Sequence, residues 1–193
     1  MQKISHHNPW LPRPAPRLSP LQKHWMMRTG ALTQGLRLLG SVQLRVLAEY
    51  SIALNHDEAH CLNLHRGTLG WVREVAMSLN DQDCIVARSV TSLVGASGVW
   101  QGIRRLKARP LADLLYEDRT IRRSSFEVLS VRAPAALFKL AQQHTNRHLN
   151  QSLCARRSVF WRTQVPLLVS ECFLPDFWKI VQGQRAQGAS HWA

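Results

Sequence analysis

The sequence predicts an α+β domain built on one central antiparallel sheet. Residues 42–46 and 69–79 follow the period of two that a strand requires, and 84–91, 153–161 and 165–174 are apolar-rich segments of strand length that pair with them or with each other as hairpins. Short polar turns join neighbouring strands into hairpins, and the helical patterns are grouped around the strands rather than interleaved one by one, so a parallel βαβ sheet is excluded.

In chain order, prolines at 9, 12, 14 and 16 make residues 1–17 an extended or poorly ordered lead. They also oppose the amphipathic helix of a transit peptide, the other reading of a start without acidic residues. Ser19-Pro20 reads as an N-cap followed by a first-turn proline, opening a helix through Leu21, Trp25 and Met26 that Gly30 stops. Ala31 to Leu39 is a second short helix, with Leu32, Leu36 and Leu39 on one side.

Val42, Leu44 and Val46 begin the strands. The next strand places Leu69, Trp71, Arg73, Val75, Met77 and Leu79 on one face. Asn80-Asp-Gln-Asp83 turns the chain into a return strand on which Val86, Arg88 and Val90 align. Gly95 and Gly98 mark a loop before a helix carrying Trp100, Ile103 and Leu106. Pro110 breaks that helix and starts another over Leu111 to Tyr116. A strand around Phe126 and Val128 and a helix opened by Pro134 precede the last hairpin, which turns at Arg162-Thr-Gln164. The expected division is a lead over 1–17, one domain over 18–181 and a flexible tail over 182–193, since 193 residues suffice for one substantial core.

Composition narrows the function. No apolar run is long enough to span a bilayer and no secretory signal layout is present, so a cytoplasmic protein without an integral membrane segment is expected. The four cysteines lack metal-type spacing and read as free thiols. His56, His60, Cys61 and His65 are ligand-type residues without a second metal-binding half, and no metal site is assigned to them. No glycine-rich phosphate loop supports a nucleotide cofactor. The net charge of +13 favours anionic partners, and the first 48 residues hold seven Lys or Arg with no Asp or Glu. The basic residues are nevertheless spread along the chain with no nucleic-acid-binding motif, which leaves a solvated basic surface suited to a small anionic substrate.

Glu171 is the anomaly. It lies in the most apolar run of the chain and should share a strand face with Leu167, Val169 and Phe173, where a carboxylate is costly unless paired. Arg73 and Arg88 likewise fall on alternating faces that otherwise carry apolar residues. A buried ion pair, or an arginine with a buried stem and a solvated head, accounts for any one of the three. If all three face one interior, they furnish an apolar pocket with two cations and one carboxylate, fitted to a compact ligand with a carboxylate at one end and a hydroxyl at the other.

The segments Trp71-Val-Arg-Glu-Val75, Ala87-Arg88, Pro110-Leu111, Ala155-Arg-Arg-Ser-Val-Phe160 and Pro166-Leu-Leu-Val-Ser-Glu-Cys-Phe-Leu-Pro175 resemble, in order, the signature segments of the bacterial chorismate pyruvate-lyases. The resemblance runs from about Trp10 to about Lys179. It implies a ligand shielded by helical flaps, conversion of chorismate to 4-hydroxybenzoate and pyruvate at the entry to ubiquinone biosynthesis, and no metal or organic cofactor. By the same resemblance Arg73 and Glu171 are the catalytic pair, holding the ring carboxylate and the 4-hydroxyl. Leu111 adds a main-chain contact, Leu32 lies at the pocket through the stretch Gly30-Ala-Leu-Thr33, and Arg88 meets the enolpyruvyl carboxylate. Two positions depart from the family pattern: Ala112 follows Pro-Leu and Lys107 follows Leu106 where glycine is usual, and alanine at a positive φ would strain the turn. The expected partners are substrate and product alone, bound by a monomer and not by a nucleic-acid-binding protein. A non-catalytic ligand-sensing domain of the same fold is the rival reading, although only about forty residues precede the first strand, too few for an added DNA-binding region.

Overall fold

A computed structural model describes residues 9–145 and 149–186. Its centre is a seven-stranded antiparallel sheet in the order β1-β2-β3-β7-β6-β4, with β5 also paired to β6. The strands are β1 (Val42–Ala53), β2 (Leu69–Leu79), β3 (Gln82–Ser92), β4 (Arg122–Arg123), β5 (Glu127–Val131), β6 (Leu153–Arg162) and β7 (Val165–Phe173). Both long hairpins close through consecutive residues at positive φ, Asn80 and Asp81 between β2 and β3, Thr163 and Gln164 between β6 and β7. This backbone twist matches that of paired strands, so each hairpin turns in two residues, from Leu79 to Gln82 and from Arg162 to Val165.

Helices cover both faces. On the front lie α1 (Pro20–Met27), α2 (Leu32–Arg37) and α7 (Pro175–Ala186), packed on Val75, Met77, Ile85 and Phe173. Also on the front, α4 (Leu93–Ser97), a 3-10 turn (Gln101–Arg105) and α5 (Leu111–Glu117) pack on Trp71, Phe160 and Leu167. On the back, α6 (Ala136–Thr145) and Trp10 cover Val86, Ala155 and Cys172, while α3 (His56–Cys61) covers Val72, Val90 and Leu168. No helix among the described residues is long and apolar enough to cross a membrane.

Local chemistry explains the elements. Ser19 and Gln22 form a capping box at the start of α1, with bonds of 3.2 and 2.9 Å, and Pro20 fills the first turn. Asn55 and Glu58 do the same for α3, a helix where only solvated loop histidines are expected from composition. The helix α7 is likewise absent from the sequence reading, and Gln184 in it donates to the Leu39 carbonyl at 2.7 Å, so the tail expected from residue 182 is helical through Ala186. The lead is anchored from its ninth residue: Trp10 is buried, donates to Asp57 at 3.2 Å and stacks on Arg157, and Leu11 bridges to Val128. An indole stabilised by burial and a cation outweighs the extended preference of the prolines around it. Residues 1–8 and 187–193 of the expected lead and tail lie outside the described residues.

Candidate functional site

The front of the sheet presents two adjacent rows of side chains. One runs Arg73, Ser89, Val169, Ser158 across β2, β3, β7 and β6; the next runs Val75, Ala87, Glu171, Arg156. These rows floor a cavity of about 70 Å³, measured at the centre of a water-sized sphere. A single ordered water needs roughly 10–15 Å³ on that measure, so the space admits a small organic ligand. Arg73 and Glu171 stand two strands and one row apart, roughly 12 Å between Cα atoms from sheet spacings. A single ring with a polar group at each end fills the gap left once both side chains reach in.

Arg73 is 1% exposed. Its Nε donates to Glu49 Oε1 at 3.2 Å, and its Nη2 donates to the carbonyls of Lys107 at 2.6 Å and Arg109 at 3.3 Å. Its Nη1 has no partner among the described residues. Burial lowers its pKa from the ordinary arginine value and Glu49 opposes that shift, so the group stays cationic.

Glu171 uses one oxygen, Oε2, to accept a 2.6 Å bond from Arg156 Nε, and Oε1 has no protein donor among the described residues. Arg156, also 1% exposed, donates through Nη1 to the carbonyls of Trp25 at 3.1 Å and Arg28 at 2.9 Å. Its guanidinium carbon lies 4.3 Å from the Phe126 ring centroid. Arg73 and Arg156 therefore each pair with one carboxylate and bind the carbonyls of one covering segment. Arg73 fixes the segment leading into α5, and Arg156 fixes the end of α1 leading into α2.

Leu111 and Leu32 both line the cavity and are buried. Leu111 is the first residue of α5, so its N–H has no intrahelical acceptor and is available to a ligand. Ala112 lies within α5 at an ordinary helical φ, so the strain expected at that position is absent. The left-handed residue is Lys107, at φ 49°, and its carbonyl holds Arg73. Gly30, at φ 79°, makes the corresponding turn between α1 and α2.

Arg88 is not in this cavity. It projects from the back of β3, where Nε donates to Glu58 at 2.7 Å and Nη1 donates to Tyr50 Oη at 2.7 Å and Glu74 at 2.5 Å. Burial alone would lower its pKa, but the bonds to Glu58 and Tyr50 prevail and raise it. Both faces of β3 are covered, so Val86 and Val90 share an apolar face with Arg88 without sharing the front cavity. The cavity's other cations are Arg123, whose Nη1 donates to Tyr116 Oη at 2.8 Å, and Arg156, which the resemblance contains within Ala155-Arg-Arg-Ser but does not single out. The signal was available: adjacent Arg156 and Arg157 in one strand must point to opposite faces.

Comparison with known proteins gives a consistent picture. A family model described as chorismate lyase matches residues 6–182. A "probable chorismate pyruvate-lyase" of Bordetella avium is 49% identical over 177 residues, covering 92% of this chain and 88% of the relative. Another, from Pseudomonas fluorescens, is 38% identical over 182 residues, covering 94% and 96%. Among solved structures, the ligand-binding domain of a GntR-family transcriptional regulator from Bordetella bronchiseptica matches with a TM-score of 0.52 at 14% identity, over 70% of this chain and 86% of that one. The effector domain of PhnF from Mycobacterium smegmatis matches with a TM-score of 0.52 at 11% identity, over 76% and 90%. The last two are likenesses of fold alone.

Proposed function

The chain belongs to the chorismate lyase family, and from that premise we propose that it converts chorismate to 4-hydroxybenzoate and pyruvate, the first step of ubiquinone biosynthesis. The observation that carries the reading is the convergence of Arg73, the Leu111 N–H and Glu171 on one cavity closed by two segments that the cavity's own arginines hold.

In this reading the ring carboxylate meets Arg73 Nη1 and the Leu111 N–H, and the 4-hydroxyl donates to Glu171 Oε1. Two ring edges then remain for the enolpyruvyl ether. One faces Val75, Ala87 and Met77 and is apolar; the other faces Ser158 and Arg156. An anionic arm takes the second edge, which puts Arg156 in the role that the resemblance gives to Arg88. Cleavage of the bond between the ether oxygen and ring carbon 3 sends its electrons to oxygen, which becomes the ketone of pyruvate. The proton on ring carbon 4 goes to the enolpyruvyl methylene, making the methyl group, and the ring becomes aromatic.

Aromatisation supplies the driving force, so the protein has to hold the reactive conformer, exclude water and stabilise the departing oxygen with fixed charge. Glu171, with one oxygen engaged by Arg156, serves as a positioning acceptor for the hydroxyl.

The test is direct. Purified protein given chorismate without added metal should release pyruvate, read by a coupled dehydrogenase, and generate the absorbance of 4-hydroxybenzoate in equal amount. Folded protein that yields neither product sinks the assignment, and tight 4-hydroxybenzoate binding without turnover would make the chain a sensor.

A further inference from the structure

The Ser158 side chain is 3% exposed and lines the cavity, and its Oγ has no hydrogen-bond partner among the described residues. A hydroxyl buried without a partner is unfavourable, and nearly all such groups in folded proteins find one. Alanine at this position would fill the strand equally well and carry no such cost. Nothing about the fold therefore calls for a hydroxyl there, whereas a ligand oxygen does.

Its position specifies which oxygen. Ser158 sits beside Val169 across the β6–β7 ladder and two residues from Arg156 on the same face of β6. A ring laid from Arg73 on β2 to Glu171 on β7 keeps its carboxylate and its hydroxyl at those two ends, and Ser158 lies one strand beyond β7, beside the ring's flank. Only the substrate has a polar group on that flank.

We propose that Ser158 Oγ donates a hydrogen bond to an oxygen of the enolpyruvyl arm, so that the cavity distinguishes substrate from product through this hydroxyl. The inference rests on the lyase reading. Arg156 supplies charge to the arm, and Ser158 supplies a directional donor that 4-hydroxybenzoate leaves unused. 4-Hydroxybenzoate forgoes this one hydrogen bond, although the two ring ends are held identically.

The experiment compares wild type with Ser158→Ala in three measurements: turnover of chorismate, binding of 4-hydroxybenzoate followed by tryptophan fluorescence, and thermal unfolding without ligand. Expected are a loss of about tenfold in kcat/KM, a 4-hydroxybenzoate Kd within twofold of wild type, and an unfolding temperature equal to or above wild type. A loss in kcat places the bond at the ether oxygen, and a rise in KM places it at the arm's carboxylate. Unchanged turnover, or equal losses for substrate and product, overturns the inference while leaving the lyase reading standing. A wild-type protein that binds product yet releases no pyruvate overturns both.

Discussion

Arg156 Nε donates a 2.6 Å hydrogen bond to Glu171 Oε2, and the same guanidinium holds the Trp25 and Arg28 carbonyls of the segment that covers the cavity. The cavity carboxylate and the segment that covers the cavity are thus held by one side chain. Any change at Arg156 should alter both the orientation of Glu171 and the opening of the α1–α2 segment.

Arg156→Lys tests this coupling. Lysine keeps the charge but not the planar fork, so it can reach Glu171 or the carbonyls and not both in the same geometry. The expected outcome is faster amide exchange over residues 28–33 and faster release of 4-hydroxybenzoate, with chorismate kcat/KM reduced by roughly tenfold to a hundredfold. Hydrogen exchange by mass spectrometry and stopped-flow displacement read the two effects. Unaltered exchange over that segment would show that Arg156 does not hold the cover.

Glu171→Gln keeps the shape and removes the negative charge, leaving Arg156 without its buried partner. Loss of one charge-assisted hydrogen bond to the ligand costs about 1.5–3 kcal/mol, so kcat/KM should fall by at least tenfold. Full activity in this variant would remove Glu171 from the site.

Much of this site was legible before the fold was. Glu171 and Arg73 stand out because each is the charged member of a period-two apolar face, and both do face the cavity. The same logic misplaces Arg88, because a sheet covered on both sides gives apolar alternation to either face and sequence alone carries no mark of front and back. Register resolves it: Ser89 pairs with Arg73, so its neighbour Arg88 points away. The helix α3 is hidden in a polar stretch, yet its capping box from Asn55 to Glu58 is readable in the sequence. In α7, Phe177 and Val181 are four residues apart and buried together, a helical spacing obscured by the strand signal just before it.

Lys107 offers a test with two opposite signs. A non-glycine residue at φ 49° carries about 1–2 kcal/mol of strain, and here its carbonyl is fixed to Arg73. Lys107→Gly relieves the strain while increasing the freedom of the unfolded chain, so stability should stay level or rise with activity retained. Lys107→Val, a β-branched residue unsuited to that backbone, should lower both stability and 4-hydroxybenzoate affinity as Arg73 loses its support. Urea unfolding and ligand titration of the pair decide it, and equal behaviour of the two variants would refute the role of the backbone.

The back of the sheet makes its own prediction. Arg88 is buried with Glu58 and Glu74, and removing one member of such a cluster strands the others. Arg88→Ala should therefore cost about 3–5 kcal/mol of unfolding free energy. Combining Arg88→Met with Glu58→Gln and Glu74→Gln should recover most of that loss, since an uncharged cluster no longer needs its partner. Urea curves that show no recovery would mean that packing of the arginine stem, rather than its charge, holds this face.

The thiols provide a pH-dependent check on the packing. Burial raises the Cys61, Cys84 and Cys154 thiols to about 11, and raises Cys172 further in the same direction. A raised thiol pKa means that the native state keeps its proton where the unfolded chain gives it up. Thiolate, the reactive form, is thus scarce in the folded protein at pH 8 and becomes available on unfolding. Native protein at pH 8 should react slowly with a disulfide reagent at all four cysteines, and all four should react within the mixing time in concentrated guanidinium. Because each of these groups favours its protonated form on folding, stability should also decline as pH climbs from the unfolded thiol value toward 11. Guanidinium midpoints measured from pH 7 to 10 that failed to fall would contradict the burial of these side chains.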